Sequence, residues 1–236
     1  MRGVRGKRVR IKGGPVELTE IRPYRREDRE AVFRVAADTA FFGEPVEYIM
    51  EDRRLFCDGF YAYYTDFEPE HGWVATVNGV VAGFLMGCWD TKKRDRAVIR
   101  YLLPEVVGKA ITGKYRIGKL TWSYIWGVFK QSLQGIYNRK PHPLDLNLFP
   151  AHLHVNLDSG YRGHGLGRRL MEAYLEQLRA NKIPGVHLKT TNLNEAACKL
   201  YESMGFSLLS AYPEEIFNYV LGHRIEGRVY VMRLDE

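Results

Sequence analysis

The chain has 236 residues, 45% of them hydrophobic and 27% charged, the profile of a globular protein rather than a fibrous or disordered one. It has no run of about 18 apolar residues, and its basic amino terminus lacks an apolar core segment, so neither a membrane span nor a secretory signal is expected. The net charge of +7 is uneven: the first 12 residues hold six basic groups and no acid, segment 91–149 holds twelve against three, and the remainder is acidic. Cys57, Cys88 and Cys198 stand far apart without metal-ligand spacing, so reduced thiols in a cytoplasmic protein, and no metal, are expected.

In chain order, residues 1–14 read as a disordered basic tail, and 16–24 (VELTEIRPY) as a strand closed by Pro23. Residues 26–40 carry Ala31, Val32, Val35 and Ala36 at helical spacing, and 45–67 predict a second helix with an aromatic tail. GWVATV and VVAGFLMG, joined by Asn78-Gly79, predict a hairpin. Segment 91–149 breaks the pattern: AVIRYLLPEVVGKAI and KLTWSYIWGVFKQSLQGIY predict helices of a basic insertion rich in Trp and Tyr. A strand is expected at 150–159, then a glycine loop, a helix at 168–180, a strand at 186–191 and a helix at 194–204 stopped by Gly205. Strands at 206–212 and 227–234 close a mixed α/β chain with no internal repeat.

The loop YRGHGLGRR joins a strand to a helix, which offers backbone N–H groups and a helix dipole to an anion. Arg162, Arg168 and Arg169 add full charges. Gly163, Gly165 and Gly167 have the wrong spacing for a dinucleotide fingerprint, and no P-loop lysine follows. The spacing that fits is R-x-x-G-x-G at Arg162, Gly165 and Gly167. It resembles the coenzyme A pyrophosphate loop of the GNAT superfamily of acetyl-CoA-dependent N-acetyltransferases. An independent match lies downstream in NEAACKLYESMGF, at Asn194, Ala197, Tyr201, Gly205 and Phe206. Asn194 and Tyr201 are seven residues apart, two helical turns, and so share a face.

The resemblance covers about 16–90 and 150–235. It implies a central, mostly antiparallel sheet of about six or seven strands flanked by helices, with 15–236 as a single domain carrying the 91–149 insertion. It implies acetyl-CoA as cosubstrate, held by Val155, Asn156, Leu157, Arg162, Gly163, His164, Gly165, Leu166, Gly167, Arg168 and Asn194. Asn194 also suits the helix N-cap. Tyr201 is implied as the general acid beside the departing sulfur.

AHLHV is similar to the corresponding strand of arylalkylamine N-acetyltransferases, where a histidine pair takes the amine proton through water. His152 and His154 alternate with Leu153, Val155 and Leu157, so both histidines face one side of the strand. An imidazole pKa near 6.5 suits a base near neutrality. The pair lies one residue nearer the glycine loop than in that subgroup, so a bulge or another register is open. Glu44, Glu47, Glu51 and Asp52 are candidates to receive a cationic amine, and Phe60, Tyr61, Tyr63 and Tyr64 to hold its apolar part. A solvated helix and core aromatics account for the same residues equally well.

The expected activity is direct acetyl transfer to a primary amine of an unidentified small molecule or protein, in an acyltransferase that forms no acyl-cysteine. An inactive acyl-CoA-binding or scaffolding module of the same fold stays open. So does an anionic-partner binder acting through the tail and insertion, although membrane or nucleic-acid contact is not the expectation. A homodimer, or a membrane surface, is open for Trp122, Tyr124, Trp126 and Phe129.

Overall fold

The computed structural model describes residues 7–10, 16–137 and 144–235. Its strands are β1 (Lys7–Arg10), β2 (Val16–Pro23), β3 (Trp73–Val77), β4 (Val80–Cys88), β5 (Ala151–Leu157), β6 (Gly185–Thr191), β7 (Ser207–Glu214) and β8 (Ile225–Arg233). They form one sheet in the order β1-β2-β3-β4-β5-β6-β8-β7. Seven of these strands answer to the expected sheet; the eighth is the four-residue β1, antiparallel to β2. Lys7–Arg10 is the described part of the segment read as a disordered basic tail; 1–6 and 11–14 lie outside the described residues.

The helices are α1 (Arg29–Asp38), α2 (Arg53–Phe60), α3 (Thr91–Ala97), α4 (Leu103–Ile111), α5 (Lys119–Tyr137), α6 (Leu166–Ala180), α7 (Glu195–Ser203) and α8 (Asn218–Leu221). The expected second helix starts only at Arg53, because the Asp52 side chain caps it by accepting from the Leu55 amide at 2.8 Å. Its aromatic tail becomes a π-turn at Tyr63–Phe67. α5 runs over the whole of the KLTWSYIWGVFKQSLQGIY stretch expected to be a helix.

Two cores follow from the two faces of the sheet. On one face, Leu166, Leu170, Met171, Tyr174, Leu175 and Leu178 of α6 are buried together with Leu153 of β5 and Tyr201 and Phe206 beyond it. Burying side chains of this size contributes roughly 1.5–3 kcal/mol each, so the stripe seats α6 firmly. On the other face, α1, α2 and the π-turn pack on Phe84, Met86 and Cys88 of β4.

The insertion is fastened by carboxylates. Asp58 of α2, buried, accepts from Lys109 Nζ at 3.0 Å, the Tyr115 hydroxyl at 2.8 Å and Arg54 Nε at 2.9 Å. Glu51 accepts from the amides of Gly118, Leu120 and Thr121 at 3.2, 2.7 and 3.0 Å, capping the start of α5.

Candidate active site

All neighbouring strands pair antiparallel except β5 and β6, which run parallel and meet only at Ala151–Val186 and His152–His187. Beyond His152 the two strands diverge and open a wedge in the middle of the sheet. On its other edge β5 stays paired with β4 without interruption from Cys88–His152 to Gly83–Leu157. The register therefore contains no bulge, and side chains alternate strictly. Leu153, Val155 and Leu157 turn to the α6 core, and His152, His154 and Asn156 turn to the α1–α2 side.

The wedge leads into a cavity of about 400 Å³, within the range of small-molecule sites. Val155, Asn156 and Leu157 form its strand wall; Arg162, Gly163, Gly165, Leu166, Gly167 and Arg168 form its loop end; Asn194 and Tyr201 of the α7 segment close it. Ten of the eleven expected coenzyme residues and Tyr201 thus come together. The exception is His164, half-buried in the loop but not part of the cavity wall.

The loop's conformation explains its composition. Gly165 caps α6 at φ +75°, a left-handed conformation that costs other residues roughly 1–2 kcal/mol. The leading amides of α6 have no intrahelical acceptor and face an anion's natural place. Arg162 anchors the loop: its Nε donates to the Leu157 carbonyl and its Nη2 to the Gly43 carbonyl, both at 3.1 Å. Gly43 sits at φ +98°, and a Cβ there would lie 2.7 Å from Arg162 Nη1. Arg168 reaches Ser203 Oγ at 2.7 Å beside the cavity, whereas Arg169 turns away to Thr19 Oγ1 at 2.8 Å. Asn194 makes no side-chain cap hydrogen bond, so its amide group is left for the cavity.

Tyr201 is buried between Phe206 and Tyr230, ring centroids 6.1 and 5.9 Å away. Burial, then the neighbouring Cys198 and Tyr230, holds its phenol well above the usual range, so it stays protonated. Tyr61 meets the His154 ring edge-on at 5.9 Å, and burial first, then Cys57 and Tyr201, raise its pKa.

The histidines differ from expectation. His152 is buried, with Nε2 2.6 Å from the Tyr64 hydroxyl and Nδ1 2.7 Å from Thr91 Oγ1 and 3.2 Å from Cys88 Sγ. Both of its ring nitrogens are engaged, so it does not line a cavity with His154. Its pKa is pushed well below 6.5, by burial first and then by His154 and Arg94. His154 is exposed, although protein surrounds it closely enough to bring its pKa down to about 4, with Arg94, His187 and Lys189 adding to that effect. Its Nε2 lies 3.2 Å from the Tyr64 hydroxyl.

One hydrogen-bond direction satisfies this whole chain of groups. Thr91 Oγ1 donates to the Pro150 carbonyl at 2.7 Å and so accepts from His152 Nδ1–H. His152 Nε2 is then bare and accepts from the Tyr64 hydroxyl, whose oxygen accepts from His154 Nε2–H. That leaves His154 Nδ1 without its proton and free to accept one. The insertion takes part, since Thr91 and Arg94 belong to α3; Arg94 stands 5.6 Å from the Tyr64 ring centroid. Thr91 and the relay role of Tyr64 leave no sequence signal, because each partner is 59 or more residues away.

The expected acceptor carboxylates do not gather at the site. Glu51 caps α5, Asp52 caps α2 and accepts from the Arg116 amide at 2.8 Å, and Glu47 pairs with Arg53. Glu44 is exposed. Among the described residues no His, Cys, Asp and Glu cluster could hold a metal, and no helix is long and apolar enough to cross a membrane.

Residues 146–206 match the acetyltransferase (GNAT) family model. A 54-residue segment is 48% identical to mycothiol acetyltransferase of Nocardiopsis dassonvillei, covering 23% of this chain and 16% of that protein's length. The crystal structure of SsHAT aligns over 92% of this chain and 99% of its own, with a TM-score of 0.67 and 26% identity. The structure of yncA from Salmonella typhimurium, solved with its cofactor acetyl-CoA, aligns over 92% and 95% at a TM-score of 0.55 and 15% identity, a likeness of fold. Residues 146–206, which hold β5, the glycine loop, α6, β6 and the Asn194–Phe206 stretch, are thus similar to the acetyltransferase (GNAT) family, and the sheet as a whole is similar to that of SsHAT.

Proposed function

We propose that this chain is an N-acetyltransferase that passes the acetyl group of acetyl-CoA directly to a primary amine of a small molecule or protein. The observation that carries the reading is one site made of an anion-ready loop and a cavity along the open edge of β5 that the protonated Tyr201 phenol lines, with the neutral His154 on β5 next to the strand wall that begins at Val155. We read 15–236 as one domain with its insertion, and the three buried, free cysteines fit a cytoplasmic setting.

Acetyl-CoA supplies the activated acyl group. The residues present suit it: the α6 amides with Arg162 and Arg168 for the pyrophosphate, and Val155, Leu157, Leu166, Ala197 and Leu200 for the apolar arm. From Leu153 onward the β6-facing edge of β5 is unpaired to its neighbouring strand, leaving backbone donors for a carbonyl oxygen. His154 Nδ1 takes the amine proton, directly or through one water, while Tyr64 holds the ring and its tautomer. Tyr201 gives its proton to the departing thiolate. His152 positions Tyr64 and does not touch substrate.

Acetyl-CoA incubated with a panel of primary amines and peptides tests this. Thiol release should occur with at least one acceptor, and His154→Ala should lower kcat by about 100-fold. An unchanged rate in that variant would place the base elsewhere.

A further inference from the structure

Helix α5 has an apolar face that the other described residues leave uncovered. It is seated through Thr121, which is buried, Tyr124, which packs on Phe60 and Phe217 at 6.1 and 6.2 Å, and Gly127, which lies against the backbone of Ile216. At about 100° per residue these positions cover one third of the helix circumference. Trp122, Trp126, Phe129 and Leu133 fall on the opposite side and are between 49% and 65% exposed. The Trp126 and Phe129 rings pack on each other 5.6 Å apart, so the face is continuous. α4 of the same insertion exposes Leu103, Val107 and Ile111, spaced one turn apart. An outward patch of this kind marks an interaction surface.

Its charge selects the occupant. α5 contains no acid, and segment 91–149 holds twelve basic residues against three acidic ones. Lys114 and Lys119 are exposed at the amino end of the helix. A second copy would oppose two equally basic insertions, a repulsive arrangement. Nucleic acid would satisfy the lysines but has no hydrocarbon to receive Leu133, Val107 and Ile111. A basic helix with Trp, Phe and Leu on one face suits the boundary between headgroups and acyl chains.

We propose that the outward face of α5 docks this protein on an anionic lipid surface. The helix lies in the interface plane, with Trp122, Trp126, Phe129 and Leu133 among the upper acyl chains and lysines at the headgroups. Docking also acts close to the cavity. Tyr124 packs on Phe217 at 6.2 Å, Phe217 on Phe42 at 5.3 Å, and Phe42 lines the cavity wall. The inference does not depend on the catalytic reading.

The test uses the full chain with vesicles of phosphatidylcholine alone or mixed with phosphatidylglycerol. Expected are co-sedimentation and a blue shift of tryptophan emission with the mixed vesicles, both weakened by salt, and binding reduced about tenfold or more in Trp122→Ser/Trp126→Ser. Quenching of the wild-type emission by brominated lipid gives the same information should that variant not fold. No binding to mixed vesicles, or binding that ignores salt and lipid charge, would overturn the proposal. A concentration-dependent dimer abolished by the double substitution, without vesicle binding, would assign the face to a second copy and overturn it too.

Discussion

His154 can accept a proton only while its ring is neutral, and its surroundings keep it so. Packed protein atoms, then Arg94, His187 and Lys189, bring its pKa down to about 4. Plots of kcat/KM against pH should therefore show no acid limb near the ordinary imidazole value. A limb from His154 belongs near about 4, and the rise with pH should follow deprotonation of the acceptor amine, roughly 10 for an alkylamine. A limb near 6.5 that vanishes in His154→Ala would contradict the assignment. The stability consequence has a definite sign. Below about 6.5 an unfolded histidine takes up a proton that His152 and His154 resist when folded. Their contribution is complete above that pH and is lost as pH falls toward their lowered values, which circular dichroism of the acid transition would follow. Tyr64→Phe removes both the donor to His152 and the acceptor for His154. It should lower kcat about tenfold while leaving acetyl-CoA affinity unchanged.

At the scale of elements, the insertion is held by acids that the sequence suggests for substrate. Burial alone would raise the Glu51 pKa, but the Thr121 hydroxyl and the amides of Thr121 and Leu120 bring it down to about 2. Glu51→Ala should cost about 1–3 kcal/mol, read as a lower Tm, because it strips the cap from α5. It should also speed proteolysis within 112–119 more than elsewhere. α5 is legible from its own residues, a long apolar and aromatic stretch without an internal proline. That stretch does not reveal that Glu51 serves a helix start about 70 positions on. The same limit applies to Thr91: α3 is readable as part of an insertion, yet its contact with His152 depends on how α3 packs beside β5. The strict alternation of AHLHV, in contrast, is a local property, so the shared face of His152 and His154 follows from sequence. Which of the two reaches solvent is decided by where β5 leaves β6.

For the whole molecule, the site depends on the divergence of β5 and β6 after His152 and on what borders the gap. The loop and the Asn194–Phe206 stretch are legible because their chemistry needs particular residues at fixed spacing. The acceptor's identity is not, because the groups facing His154 come from α3, β6 and the π-turn and assemble only in the fold. The most direct measurement is thiol release by Tyr201→Phe beside the wild type, with acetyl-CoA binding to both followed by calorimetry. Turnover is expected in the wild type, with a loss of about 100-fold or more in the variant and equal affinity of both for acetyl-CoA. Wild-type rates in Tyr201→Phe, or tight acetyl-CoA binding with no amine or peptide that is acetylated, would contradict the proposed activity.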